Sequence, residues 1–258
     1  MNETLDYFIY KGDRIELKVI SHKKNNLEPI IFLHEGLGSV SLWKDWPLKV
    51  ALATKRDAII YSRIGMGNSS PLKDKRKINY MHVEAIEILP KIIKFLNINN
   101  PILFGHSDGA SIALIYAGSG FNSKALILEA PHVFVEEISI QGAKYAKKMW
   151  NNNNLKDKLQ KYHSDVDGAF NGWCNAWTSK GFKKWNIEEF LSNITVPTML
   201  IQGKNDEYGT MKQVNIIENK ISGISNKLEI DKCGHSPHVD YPDLITKKII
   251  YFINNFLC

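Results

Sequence analysis

A chain of 258 residues, 44% of them apolar, can bury a full hydrophobic core and fits one α/β domain carrying an insertion. A charged fraction of 23% is ordinary for a folded protein and argues against disorder. The net charge of +6 comes from scattered basic residues; the runs Lys23-Lys24 and Lys73-Asp74-Lys75-Arg76-Lys77 are short or interrupted, so they read as solvated surface and no nucleic-acid partner is expected.

The cysteines Cys174, Cys233 and Cys258 form neither an even disulfide framework nor a Cys-x-x-Cys pair. The first residues lack a basic n-region and an apolar h-region, and no apolar run approaches a membrane span. The expected setting is reducing and cytoplasmic, with no membrane partner and a homodimer left open.

Taken in chain order, Tyr7-Phe8-Ile9-Tyr10 and Ile15 to Ile20 flank Lys11-Gly12-Asp13 and read as a hairpin. Short, continuously apolar runs then recur at Ile30–Leu33, Ala58–Tyr61, Ile102–Phe104, Ala125–Leu128 and Met199–Ile201. Such runs suit strands buried on both faces of a parallel sheet. Between them, Val83, Ile86, Leu89, Ile93 and Leu96 keep helical spacing, with Pro90 set to kink or split the helix. Ser107 to Gly118 and Tyr241 to Phe256 are further helix candidates. Alternating strands and helices predict an α/β fold with helices on both faces of the sheet.

Residues 132–193 break the alternation. They contain no convincing strand but many aromatic residues, and read as a helical insertion between core segments 1–131 and 194–258. Asn151 to Asn154 reads as a loop within it. Its tryptophans Trp150, Trp173, Trp177 and Trp185 line an apolar substrate pocket or form the insertion's own small core, and Trp173 and Trp177 are the ones expected to reach a substrate.

The chemistry centres on Gly105-His106-Ser107-Asp108-Gly109, directly after an apolar strand and before a helix. A nucleophile on so sharp a turn needs small neighbours, because helix and strand approach closely there. Serine alone is a weak nucleophile and needs a base and an orienting acid. Downstream, Gly203-Lys204-Asn205-Asp206-Glu207 and Cys233-Gly234-His235-Ser236-Pro237-His238 both follow carboxyl ends of predicted strands, where open α/β sheets carry their sites. Asp206 and His235 are the favoured acid and base. Glu207 and Glu129 are rival acids, and His238 is a rival base and a candidate substrate contact. The loop His34-Glu35-Gly36-Leu37-Gly38 is the candidate source of an oxyanion N–H, the other donor being Asp108 N–H. The histidines show no metal-ligand spacing, and the chemistry needs no cofactor.

Together with Tyr61-Ser62-Arg63-Ile64-Gly65-Met66-Gly67-Asn68-Ser69, these segments resemble the α/β-hydrolase superfamily, in particular its esterase-like members with a helical cap. The resemblance implies a mostly parallel eight-stranded sheet, the order Ser107, Asp206, His235 in a triad, and Gly36 as the oxyanion donor. Glu35 departs from the family's usual His-Gly and is expected either to turn away into a salt bridge or to face the pocket. The Ser107-Asp108-Gly109 arrangement is similar to that of valacyclovir hydrolase-like enzymes, which implies recognition of a substrate amino group by Asp108; a structural role at the helix start is the competing reading. The expected activity is hydrolysis of a small ester, thioester or lactone through an acyl-enzyme. Carbon–carbon bond cleavage on the same triad and a non-catalytic small-ligand receptor remain alternatives. Haloalkane dehalogenation is disfavoured, since it needs a carboxylate where Ser107 stands.

Overall fold

The computed structural model describes residues 1–22, 26–152 and 154–257; Lys23, Lys24 and Cys258 lie outside the described residues. The predicted hairpin forms from β1 (Asn2–Tyr10) and β2 (Asp13–Ser21), joined by Lys11 and Gly12. Both joining residues have positive φ, 50° and 86°, which matches the twist of a tight hairpin turn. The apolar runs become β3 (Ile30–Leu33), β4 (Ala58–Tyr61), β5 (Ile102–His106), β6 (Ala125–Glu129) and β7 (Thr198–Gly203), followed by β8 (Ser225–Ile230). Among the described residues these make one eight-stranded sheet in the order β1-β2-β4-β3-β5-β6-β7-β8. The β1–β2 and β2–β4 pairs are antiparallel and the others parallel.

Alternation along the central strands divides the core in two. Ile31, Leu33, Leu103, Leu126, Leu128 and Leu200 face one layer, and Ile30, Phe32, Phe104, Ile127, Met199 and Ile201 the other. The first layer includes α2 (Tyr80–Val83), α3 (Leu89–Phe95), α4 (Asp108–Gly118) and α8 (Lys212–Lys220). The second includes α1 (Trp46–Thr54) and α10 (Pro242–Phe256). Covered on both faces, these strands need continuous apolar runs.

The helix expected around Pro90 is divided into two α-helical pieces by a change of helix type. A π-helical turn, Glu84–Ile88, joins α2 to α3, and Pro90 sits in the first turn of α3, where its missing N–H breaks no hydrogen bond. Residues 132–193 contain α5 (Glu137–Asn151), α6 (Asn154–Leu159), α7 (Val166–Trp177) and two short 3₁₀ turns. The asparagine run expected as a loop is mostly used up in helix ends: Asn151 closes α5 and Asn154 opens α6, with Asn153 outside the described residues. Cys174 and Cys233 are buried free thiols. Among the described residues, no helix is long and apolar enough to cross a membrane.

Candidate active site

Ser107 stands between β5 and α4 with φ 52° and ψ −116°, a conformation a non-glycine residue adopts only where its surroundings impose it. The glycine at 109 is one such constraint, because any side chain there would collide with the Leu33 carbonyl of the neighbouring strand. Ser107 N–H donates to the Glu129 carbonyl at 2.8 Å, which ties the turn to β6.

His235 and Asp206 arrive on the loops after β8 and β7. His235 Nε2 lies 2.9 Å from Ser107 Oγ, and its Nδ1 lies 2.9 Å from each Asp206 carboxylate oxygen. Asp206 also accepts from Gln202 Nε2 at 2.7 Å and from the N–H groups of Tyr208 (2.7 Å) and Gly209 (3.3 Å). Burial works against its charge, but His235, the Tyr208 N–H and His132 outweigh it and hold Asp206 down at about 2. Burial likewise disfavours a charged His235, and Asp206 more than offsets that, so its pKa lies above the usual 6.5. The carboxylate on Nδ1 leaves the Nε2 lone pair facing the serine, the arrangement in which the imidazole can take a hydroxyl proton.

Glu129 and His238, the rival acid and base, belong to a separate pair. His238 Nδ1 lies 2.8 Å from Glu129 Oε2, and its ring packs on Trp43 and Trp46 with centroids 5.0 and 5.5 Å away. The reason is local: α9 (Pro237–Asp240) starts between the two histidines and turns His238 away from the serine.

The loop after β3 is held by Arg63, which donates to the carbonyls of His34 (2.6 Å) and Glu35 (2.7 Å). Gly36 packs so closely on Trp173 that a side chain there would collide with the indole Nε1. A cavity of about 210 Å³ lies over Ser107 and His235. Its apolar wall comes from Leu37, Leu42, Leu155, Leu159, Trp173 and Trp177; Glu35, Gly36, His132 and Tyr208 complete it. Trp150 instead stacks on Phe170 at 4.0 Å, and Trp185 on Phe182 at 5.4 Å, so these two serve the helical segment's own packing.

Two expected substrate contacts are absent from that wall. His238 lines a neighbouring cavity of about 430 Å³. The Asp108 side chain is 1% exposed; Oδ2 accepts from the Tyr80 hydroxyl, and Arg63 Nη2 stands 3.9 Å away. Tyr80 in turn accepts from Trp177 Nε1 at 3.1 Å, so Asp108 braces the cavity wall from behind. Burial raises the Asp108 pKa despite Arg63. Glu35, expected in a salt bridge or in the pocket, lines the cavity. His132 lines the cavity although its sequence context marks it for no role there. It follows the carboxyl end of β6, the position that drew attention to Glu129, and burial holds it down at about 4, hence neutral.

A family model described as alpha/beta hydrolase fold matches residues 28–162. A protein of Mycoplasma genitalium with a provisional esterase/lipase name is 29% identical over 208 residues, which cover 73% of this chain and 75% of that protein. The 3-oxoadipate enol-lactonase 1 of Acinetobacter baylyi is 23% identical and covers 93% of each chain. Among solved structures, the α/β hydrolase enzyme MGS-M2 from a Medee basin deep-sea metagenome library superposes with a TM-score of 0.77 at 18% identity, covering 97% of this chain and 98% of its own. The chain thus belongs to the α/β-hydrolase fold family.

Proposed function

We propose that the protein is a serine hydrolase that cleaves a carboxylic ester, thioester or lactone of a small molecule through an acyl-enzyme on Ser107. The observation that carries this reading is the unbroken chain of 2.9 Å contacts from Ser107 Oγ through His235 to Asp206 at the edge of a largely apolar cavity. The relatives named esterase/lipase and enol-lactonase point to the same bond class.

In this mechanism His235 Nε2 takes the Ser107 proton as Oγ attacks the substrate carbonyl carbon. The N–H groups of Gly36 and Asp108 hold the resulting oxyanion. The intermediate collapses, the C–O (or C–S) bond to the leaving group breaks, and His235 returns the proton to that group. Water, deprotonated by His235, then attacks the acyl-enzyme; the acid leaves and Ser107 regains its proton. Asp206 keeps the imidazole in the required tautomer. Residues 132–193 act as a cap that supplies Leu155, Leu159, Trp173 and Trp177 to the roof.

The test is a p-nitrophenyl acetate assay on wild type and Ser107→Ala. Wild type should release nitrophenol, and the variant should lose the activity down to background. Turnover that survives in Ser107→Ala would rule out an acyl-enzyme on this residue.

A further inference from the structure

The Ser107 cavity has an uneven distribution of polar groups. No lysine or arginine is among its lining residues, whereas Glu35 is, with its side chain 26% exposed. Glu35 also lines the adjoining 430 Å³ cavity, so this residue is shared by the two. Lys44 and Lys49 line only the adjoining cavity, and Lys49 is already paired with Asp243 at 2.6 Å. Among the described residues, no lysine or arginine forms an ion pair with Glu35.

The His106 ring faces the Glu35 carboxyl group, its Nδ1 3.9 Å from Oε2, and His238, Arg63 and His235 also act on Glu35 electrostatically. The tautomer of His106 follows from its other nitrogen. Nε2 lies 2.8 Å from the His235 carbonyl, which can only accept, so Nε2 bears the proton. Burial pushes the His106 pKa down to about 3, so the ring is neutral and Nδ1 is a bare lone pair. His106 is 2% exposed, and among the described residues this nitrogen has no hydrogen-bond partner. Burial raises the Glu35 pKa while His238, Arg63 and His235 favour its charged form, and a donor placed between Oε2 and His106 Nδ1 meets an acceptor on either side.

We infer that Glu35, backed by His106 Nδ1, recognises a cationic amino group carried by the substrate. The inference rests on the esterase reading above and narrows it to small amino-bearing esters. A cation gains a charge-assisted hydrogen bond at Glu35, while a substrate carboxylate meets like charge and no lysine or arginine in the wall. Asp108 does not take this part, because its side chain is buried behind the wall and lines neither cavity.

The experiment compares esters that match in shape and differ in charge. On the acyl side, β-alanine methyl ester is set against methyl butanoate, with monomethyl succinate as the anionic counterpart. On the alcohol side, 2-(dimethylamino)ethyl acetate is set against 3-methylbutyl acetate. In wild type, at least one cationic ester should exceed its neutral partner in kcat/KM by about tenfold or more, the scale of one hydrogen bond to a charged group. Monomethyl succinate should be the poorest substrate. Glu35→Gln should reduce the cationic-to-neutral ratio by about the same factor. Because each ratio is taken within one enzyme preparation, partial misfolding cancels. Equal ratios in wild type and Glu35→Gln for both pairs would overturn the role of Glu35 and leave the esterase reading standing. Absence of turnover for every ester would overturn both.

Discussion

Exchange of Asp206 for Asn keeps the shape of the side chain and removes its charge. The native carboxylate offers two acceptors, each 2.9 Å from His235 Nδ1, while other donors hold it from Gln202, Tyr208 and Gly209. An amide group turned toward Nδ1 donates instead of accepting. The imidazole proton then moves to Nε2, the atom that must accept from Ser107. Catalysis should fall by roughly 10³- to 10⁴-fold in kcat, the loss expected when the base is held in the wrong tautomer. The pH profile supplies a second reading. A general base works neutral, and Asp206 holds His235 above 6.5, so wild-type kcat/KM should rise with pH through a value above 6.5. Without the carboxylate, that limb should move to lower pH. Stability follows from the carboxyl group itself, lowered from 3.8 to about 2. A tenfold change in proton affinity is worth about 1.4 kcal/mol, so the pairing contributes roughly 2 kcal/mol. Because the folded pKa is depressed, this stability is present above about pH 3.8 and lost as pH falls toward 2. Residual p-nitrophenyl acetate turnover gives the first quantity, its pH profile the second, and urea unfolding at neutral and acid pH the third. A variant with more than about a tenth of wild-type kcat and an unmoved acid limb would refute the role given to Asp206.

Gly36→Ala places a methyl group against Trp173 Nε1 and shifts the loop N–H. It should lower kcat by about 10²- to 10³-fold, as loss of one oxyanion donor does, and retention of kcat in the same ester assay would remove Gly36 from that role. Tyr80→Phe strips Asp108 Oδ2 of its donor and Trp177 Nε1 of its acceptor. It should cost about 1–3 kcal/mol in urea unfolding, and an unchanged midpoint would mean that the buried cluster does not depend on this hydroxyl.

The central strands were legible because burial on both faces leaves a plain mark, an unbroken apolar run before each turn. Ser107 was legible because its turn requires small residues on either side. Partner choice was harder. Glu129 and Asp206 both end strands, and spacing alone does not say which one the returning chain meets. The answer lies in α9, whose start at Pro237 separates the directions of His235 and His238. The surroundings of Asp108 were also hidden, since Tyr80 and Arg63 reach it from distant segments and nothing in their own neighbourhoods points to it. The π-helical turn ahead of Pro90 left no periodic signature, because a five-residue widening shifts the apolar face without interrupting it.

His106 fills the variable position of the turn, and its Nε2 carries the main chain of His235. Nucleophile and base lie 128 residues apart in sequence. Had their separation depended on the path between them, small displacements would accumulate over a helical segment, three strands and several loops. A single hydrogen bond from the residue beside Ser107 short-circuits that path. The main chain of the base is thereby tied directly to the turn that carries the nucleophile, by a 2.8 Å contact that bypasses the helical segment.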